Sequence, residues 1–163
     1  MPQDPERWTT KGTSLKLTAS LRDGARGVPA LPMHQPFAGW VARGWRRMKY
    51  LDYWAPKGEL PRVCYLYASA KVAPDCWFSR DADDLVKVYD TDDAVEKELS
   101  RRRNDPASNS PKAIVGVALL AAVYDPGSDA AWDFAAGALL PIPIPLTAFI
   151  NRPYGGVFYP FGR

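Results

Sequence analysis

The longest apolar stretch of the chain lies in its C-terminal third. From Ala113 to Ile150 there is no Lys or Arg, and the only charges are Asp125, Asp129 and Asp133. Its first block, AIVGVALLAAVY at 113–124, is twelve uncharged residues. As a helix it would measure about 18 Å, short of the roughly 30 Å of a bilayer core. Asp125-Pro126-Gly127 ends the block, and Ser128 or Asp129 is placed to cap a second helix reaching Leu140. Pro141, Pro143 and Pro145 then stand at alternate positions, which forbids a helix and imposes an extended path. Extended backbone with unpaired carbonyls is not tolerated in hydrocarbon, so burial in protein is the expectation for this third.

Upstream, Ser14–Leu21 alternates, with Leu15, Leu17, Ala19 and Leu21 on one side and Lys16, Thr18 and Ser20 on the other. Period two predicts a half-buried strand, ended by a turn at Arg22-Asp23-Gly24. Residues 25–36 hold Gly27, Pro29, Pro32 and Pro36 and are predicted as loop. Pro36 suits the first turn of a helix running to about Trp54. Phe37, Trp40, Val41, Gly44, Trp45, Met48 and Leu51 recur there at three- and four-residue steps, with Arg43, Arg46, Arg47 and Lys49 mostly on other faces. The pattern is a basic amphipathic helix with an aromatic stripe.

Residues 55–60 (APKGEL) are a turn, and Pro61–Ala68 (PRVCYLYA), rich in β-formers, is a second strand. Asp75–Phe78 starts a short third strand. Leu85–Tyr89 fits either a strand or the first turns of a helix, since so short a run has no decisive period. Asp92 or Asp93 caps a helix through about Arg103, whose last turn carries Arg101, Arg102 and Arg103 against the dipole. NDPASNSPK at 104–112 has linker composition. The predicted fold class is α+β, with a small sheet, about three or four helices and long Pro-rich irregular segments. The organisation is a basic-to-acidic region at 1–104, a linker at 105–112 and an apolar helical segment with an extended tail at 113–163, together one domain.

Composition changes this picture in two respects. Sixteen prolines in 163 residues is about twice the roughly 5% usual, and aromatics reach 12% with six Trp. Proline at this density cuts elements short, and Trp and Tyr are interface residues. The net charge of +3 also hides a gradient. Residues 1–63 carry eleven basic against five acidic side chains, 64–105 seven against ten, and 106–163 three against three. A basic front half permits contact with phosphates, lipid headgroups or acidic protein.

Candidate chemistry is sparse. Cys64 and Cys76 are the only cysteines; they match no C-x-x-C motif and cannot close a four-ligand zinc site, so reduced thiols are expected. The clustered acids at 81–84 and 90–93 fail as a calcium loop. One starting at Asp81 would require Gly at position 86 and Glu at position 92, where the chain has Val86 and Asp92. Helix capping accounts for them better. His34, the only histidine, lies in MHQPF, and no G-x-S-x-G or P-loop motif accompanies it. No catalytic residue, cofactor or metal is assigned.

The function expected on these grounds is that of a non-enzymatic accessory or structural subunit of a large assembly, membrane-associated (of the respiratory or ATP-synthase type) or a virion. It would hold neighbouring protein subunits, and anionic lipid headgroups, through two surfaces. One is the basic helix, with Trp40, Arg43, Trp45, Arg46, Arg47 and Lys49. The other is the aromatic, Pro-rich tail, with Pro141, Pro143, Pro145, Phe149, Tyr154, Phe158, Tyr159 and Phe161 lying in a groove of this domain or of a neighbour. The N-terminus has no secretory signal pattern, which points to an intracellular setting such as a mitochondrial inner-membrane complex or an assembled particle. An RNA-binding ribosomal accessory protein ranks second, with the cationic face reading phosphate and the Trp rings stacking on bases. A small enzyme or self-contained binding domain is the third reading.

Overall fold

A strand that is apolar at every position has to be covered on both faces, and this is how the chain disposes of residues 113–118, all of them buried. In the computed structural model, which describes residues 7–10, 13–124 and 130–163, the elements in chain order are β1 (Arg7–Thr10), β2 (Thr13–Lys16), α1 (Ala19–Asp23), β3 (Ala30–Gln35), α2 (Phe37–Arg43), β4 (Met48–Leu51), β5 (Arg62–Val72), α3 (Ser79–Val86), α4 (Asp92–Arg103), β6 (Ala113–Tyr124) and β7 (Ala130–Pro145). β1 and β2 form a separate antiparallel pair. The other five strands make one mixed sheet in the order β3-β5-β6-β7-β4, parallel between β3 and β5 and antiparallel elsewhere. With its helices the sheet is an α+β architecture.

Both helices expected in the apolar third are therefore strands over 113–124 and 130–140, while the turn expected at Asp125-Pro126-Gly127 and the cap expected at Ser128 or Asp129 lie outside the described residues. Ile114, Val115, Val117 and Val123 are β-branched and suit a pleated surface. The residues of β6 from Ala113 to Ala118 are all buried, which is why no period of two marks the segment. One face packs with Phe37, Trp40 and Val41 of α2, and with Leu31, Leu66, Trp132 and Phe134. The opposite face packs with Leu17, Tyr65, Leu140, Phe158 and Phe161. The prolines of β7 do keep the chain extended. Pro141 and Pro143 fall in an irregular stretch between the pairs Gly116↔Leu139 and Ile114↔Ile144, and Pro145 stands opposite Ala113. A bulge is where a strand tolerates a residue that cannot donate a hydrogen bond.

The helix expected from Pro36 to Trp54 is seven residues long. Gly44 adopts the left-handed conformation (φ 75°) and donates to the carbonyls of Trp40 and Val41, which closes the helix as a C-terminal glycine does. The chain then reverses, and Met48–Leu51 becomes the edge strand β4 beside β7. The apolar positions at 37, 40 and 41 are helical; those at 48 and 51 belong to a strand. Two glycines let α2 sit directly on the sheet. A Cβ on Gly116 would lie 2.6 Å from the Ala138 carbonyl oxygen and 2.7 Å from Ala42 Cβ, and one on Gly137 would lie 2.7 Å from the Val41 carbonyl oxygen.

Elsewhere the outcome is mixed. The proline-rich segment read as loop contains β3, an edge strand on which Pro32 costs no sheet hydrogen bond. Asp75–Phe78 is a 3-10 turn instead of a strand, and it leads into α3. Helix α4 has the expected span, but its cap is Thr91, whose Oγ1 accepts from the Ala94 N–H at 3.1 Å, with Asp92 and Asp93 in the first turn. Residues 105–112, read as a linker, hold a 3-10 turn at Pro106–Ser108 and lead straight into β6, so the regions on either side share one sheet. The C-terminal tail lies on its own domain. Phe158 exchanges backbone hydrogen bonds with Ala30, and Phe149, Phe158 and Phe161 join Tyr65 and Tyr67 in a cluster with ring centroids 5.5–6.0 Å apart.

Candidate functional site

A cavity of about 720 Å³ opens where five segments meet. β3 supplies Met33 and His34, and β5 supplies Tyr67, Ser69 and Lys71. Arg46 and the residues from Lys49 to Tyr53 form a second wall, while Cys76, Trp77, Ser79 and Arg80 form a third. Pro153 and Gly155 of the tail complete the rim. β3 and β5 run parallel, so their side chains reach the cavity in register. The segment between β5 and β6 packs beside them through Phe78 and Leu85 in the core, and it carries one buried ion pair to the wall opposite.

That pair is Arg46 with Asp81. Arg46 Nη1 donates to Asp81 Oδ2 at 2.8 Å, and the two side chains are only 8% and 4% exposed. Arg46 also donates from Nε to the Met48 carbonyl at 3.1 Å. Burial pushes the Asp81 carboxyl up, against the opposing pull of Arg46, and the same burial draws the Arg46 guanidinium down. The pair therefore fixes α3 to the turn before β4 by geometry more than by net energy, since desolvation offsets most of the attraction.

Lys49 differs from its neighbour. Its residue exposure is 7%, yet among the described residues no carboxylate lies within ion-pair distance of it. The ammonium sits 4.4 Å from the Phe37 ring centre and 5.2 Å from that of Trp77, and donates only a long 3.5 Å contact to the Tyr50 carbonyl. The Arg46 guanidinium lies 4.7 Å from the same Phe37 ring. Burial, reinforced by the Arg46 charge, lowers Lys49 from 10.5 to about 8. Aromatic faces compensate a buried cation only in part.

The remaining groups are held just as definitely. His34 packs edge-on against Trp77 at 4.9 Å, and burial together with the Lys71 and Lys49 charges keeps its imidazole below the ordinary 6.5. It is therefore neutral at neutral pH. Arg80 donates to the Tyr50 hydroxyl at 3.1 Å and stacks over that ring at 4.9 Å. Tyr53 donates to the Pro32 carbonyl at 2.8 Å, and burial holds its phenol well above 10. With Arg46 neutralised by Asp81, the charges left on the cavity wall are Lys49, Lys71 and Arg80 against the carboxylate of Asp52.

The residues expected to face a partner through a basic helix are engaged within the chain. Trp40 is buried and its indole N–H donates to the Arg102 carbonyl at 2.9 Å. Arg43 pairs with Asp105, and Arg47 with Asp133 at 2.8 Å. The Trp45 ring is faced by the guanidinium groups of Arg43, Arg101 and Arg102 at 5.0–5.4 Å. Only Arg46 and Lys49 of that set reach the cavity. In the tail, Phe158 and Phe161 are core, Phe149 packs on them, Tyr159 lies under Arg163 at 4.9 Å, and Tyr154 is exposed. Sequence reasoning overlooked Lys71, Trp77 and Arg80. His34 stands in the sequence beside no catalytic motif, and the alternating burial of 48–51, which points Lys49 inward, is masked there by the helical period.

A second hollow of about 410 Å³ lies between α4 and β5, lined by Pro36, Phe78, Arg103 and Asn109 among others. Its polar groups are already committed: Arg103 pairs with Asp75 at 2.7 Å, and the Asn109 amide donates to the Arg103 and Asp105 carbonyls at 2.8 Å. The cysteines are free, Cys64 buried and raised to about 12 by that burial, Cys76 exposed at the cavity. Among the described residues no three His, Cys, Asp or Glu side chains converge as a metal site requires, and no helix is long and apolar enough to cross a membrane. No family model matches the chain, and no curated protein matches it.

Proposed function

We propose that the chain is a self-contained binding domain whose cavity takes one nucleotide unit, either a free nucleoside phosphate or one unstacked residue of an RNA strand. The observation that carries this reading is Lys49, a buried ammonium that faces the cavity with aromatic rings beside it and, among the described residues, no carboxylate within ion-pair distance. A phosphate would supply the missing charge, aided by Lys71 and Arg80. A base has a π face and a polar edge, and the wall offers Trp77, Tyr50 and Tyr67 beside His34 and Ser69. The volume lies within the roughly 300–1,000 Å³ range of small-ligand sites.

The test is a fluorescence titration that follows the indoles, with the four ribonucleoside 5′-monophosphates, the matching nucleosides and a mixed-sequence RNA oligonucleotide as separate arms. Saturable quenching by at least one monophosphate, reduced tenfold or more without its phosphate and abolished in Lys49→Met and Arg80→Ala, supports the reading. Tighter binding of the oligonucleotide would assign the unit to RNA. No saturation in any arm at millimolar ligand overturns it.

A second reading, subunit of a larger protein assembly, draws support from Ile142, Ile150 and Tyr154, which keep 78%, 74% and 81% of their surface exposed in the Pro-rich C-terminal part. Such side chains are what a partner would cover. Replacing all three with Ser should abolish co-purification of a stoichiometric partner from the native source; unchanged association, or none in the parent protein, counts against it.

A further inference from the structure

Lys49 combines three properties that rarely occur together. Its residue is only 7% exposed, it lines a cavity large enough for a ligand, and among the described residues no carboxylate lies within ion-pair distance of it, the Asp81 and Asp52 charges acting only from further off. The groups around it are accounted for element by element. Arg46, from the turn before β4, is spent on Asp81 of α3. Phe37 of α2 and Trp77 of the 3-10 turn present only ring faces or edges. His34 of β3 is neutral at neutral pH, Lys71 of β5 and Arg80 of α3 are cations, and Asp52 just beyond β4 is exposed. Nothing in this set ties up the nitrogen lone pair once the proton has left. A lysine in apolar and cationic surroundings is the environment in which an amine becomes a nucleophile.

We propose that Lys49 is a reactive amine that condenses reversibly with an aldehyde or ketone carried by an anionic, ring-bearing ligand in this cavity. This rests on the cavity being a ligand site, as above, but not on that ligand being a nucleotide. In the addition step the Nζ lone pair attacks the carbonyl carbon, and the C=O π pair moves to oxygen. One proton passes from nitrogen to that oxygen, giving a carbinolamine. The C–O bond then breaks with loss of water, and C=N forms as nitrogen gives up its second proton. Amine plus carbonyl thus become imine plus water, with no oxidant or reductant. Lys71 and Arg80 would hold the anionic group while the ring lies against Trp77. The fall of the Lys49 amine to about 8 leaves an appreciable neutral fraction at mildly alkaline pH.

Pyridoxal 5′-phosphate is a suitable probe because it joins a flat ring, a phosphate and an aldehyde. The full chain is incubated with it, reduced with borohydride to fix any imine, and mapped by peptide mass spectrometry. The exposed Lys57, Lys87 and Lys97 serve as internal comparators. The expected result is one equivalent of label on Lys49 at low probe concentration, at least tenfold ahead of the comparators. Labelling should increase as pH rises through about 8, and inorganic phosphate should suppress it. Label spread over the surface lysines with Lys49 unmodified overturns the proposal, whatever the behaviour of any variant. Lys49→Arg, checked for folding by circular dichroism, should lose the label while keeping a cation. If pyridoxal phosphate labels Lys49 and nucleotides do not bind, the nucleotide reading fails and this one stands; saturable nucleotide binding without label gives the converse.

Discussion

The β6–β7 hairpin and the wall of the cavity bury side chains by opposite means. In the two strands of the hairpin the buried side chains are apolar save for the indole N–H of Trp132, which is buried without a partner among the described residues, so burial itself is the dominant stabilising effect, about 25 cal/mol for each Å² removed from water. In the cavity wall, Arg46, Lys49 and Asp81 are as buried as much of the core, and their desolvation works against folding. One region stabilises the fold and the other is carried by it. The contrast teaches where to look for function in a chain without recognisable motifs: at the place where burial is unfavourable and nevertheless maintained.

The largest effect should come from attacking the stabilising side. Phe158→Ala removes a ring that is 2% exposed and packs on Tyr67 and Phe149. A loss of about 4 kcal/mol is expected, the usual cost of emptying an aromatic core site, measured by urea or thermal unfolding. An unchanged midpoint would mean that the tail is not part of the core.

The next effect has the opposite sign. Lys49 ionises near 8 in the folded chain and near 10.5 when unfolded. Below pH 8 both states are protonated, and the fold bears the full cost of the buried charge. Between 8 and 10.5 the folded amine is neutral while the unfolded one still binds its proton, so stability rises with pH across that window. Lys49→Met should therefore stabilise the protein at pH 7, by about 2 kcal/mol out of the roughly 3 that a shift of this size represents. It should also flatten the rise between pH 8 and 10.5. A destabilised, normally folded variant would show that the ammonium is satisfied after all. A gain in stability with loss of ligand binding would be the signature of a group kept for function.

The smallest effect lies away from both regions. Glu98 accepts from Arg101 at 2.6 Å and Arg102 at 2.9 Å, and these bonds draw its carboxyl from 4.5 to about 2. Its contribution is present above about pH 4.5 and is lost as pH falls toward 2. Glu98→Gln should change the melting temperature by a few degrees at pH 6 and leave it unchanged at pH 2. Equal shifts at both pH values would assign the effect to packing.

How far the sequence revealed this arrangement depends on how local each determinant is. Helix α4 was legible because its signals are neighbours: acids at 92 and 93, arginines at 101–103. The strand at 62–72 was legible from Val63, Tyr65 and Tyr67. β6 and β7 were not: β6 is buried on both faces from Ala113 to Ala118 and so has no alternation, and the alternating burial of β7 from Ala130 to Ala136 falls on alanine-rich sequence that favours a helix until partners are known. β4 was hidden by coincidence, since Trp45 and Met48 continue the spacing of Phe37, Trp40 and Val41 past the glycine that ends the helix. The cavity was the least legible feature, because His34, Lys49, Lys71, Trp77 and Arg80 are brought together from four separate segments.

The absence of side chains at Gly116 and Gly137 reaches beyond packing. With its backbone pressed against the sheet at two points, α2 has no room to slide or rock, and Phe37 at its first turn is pinned with it. That side of the cavity is its fixed wall. The opposite wall, the segment from Asp75 through α3, is tied down at several points: the buried Arg46–Asp81 pair, the Arg80–Tyr50 and Arg103–Asp75 contacts, and Phe78 and Leu85 in the core.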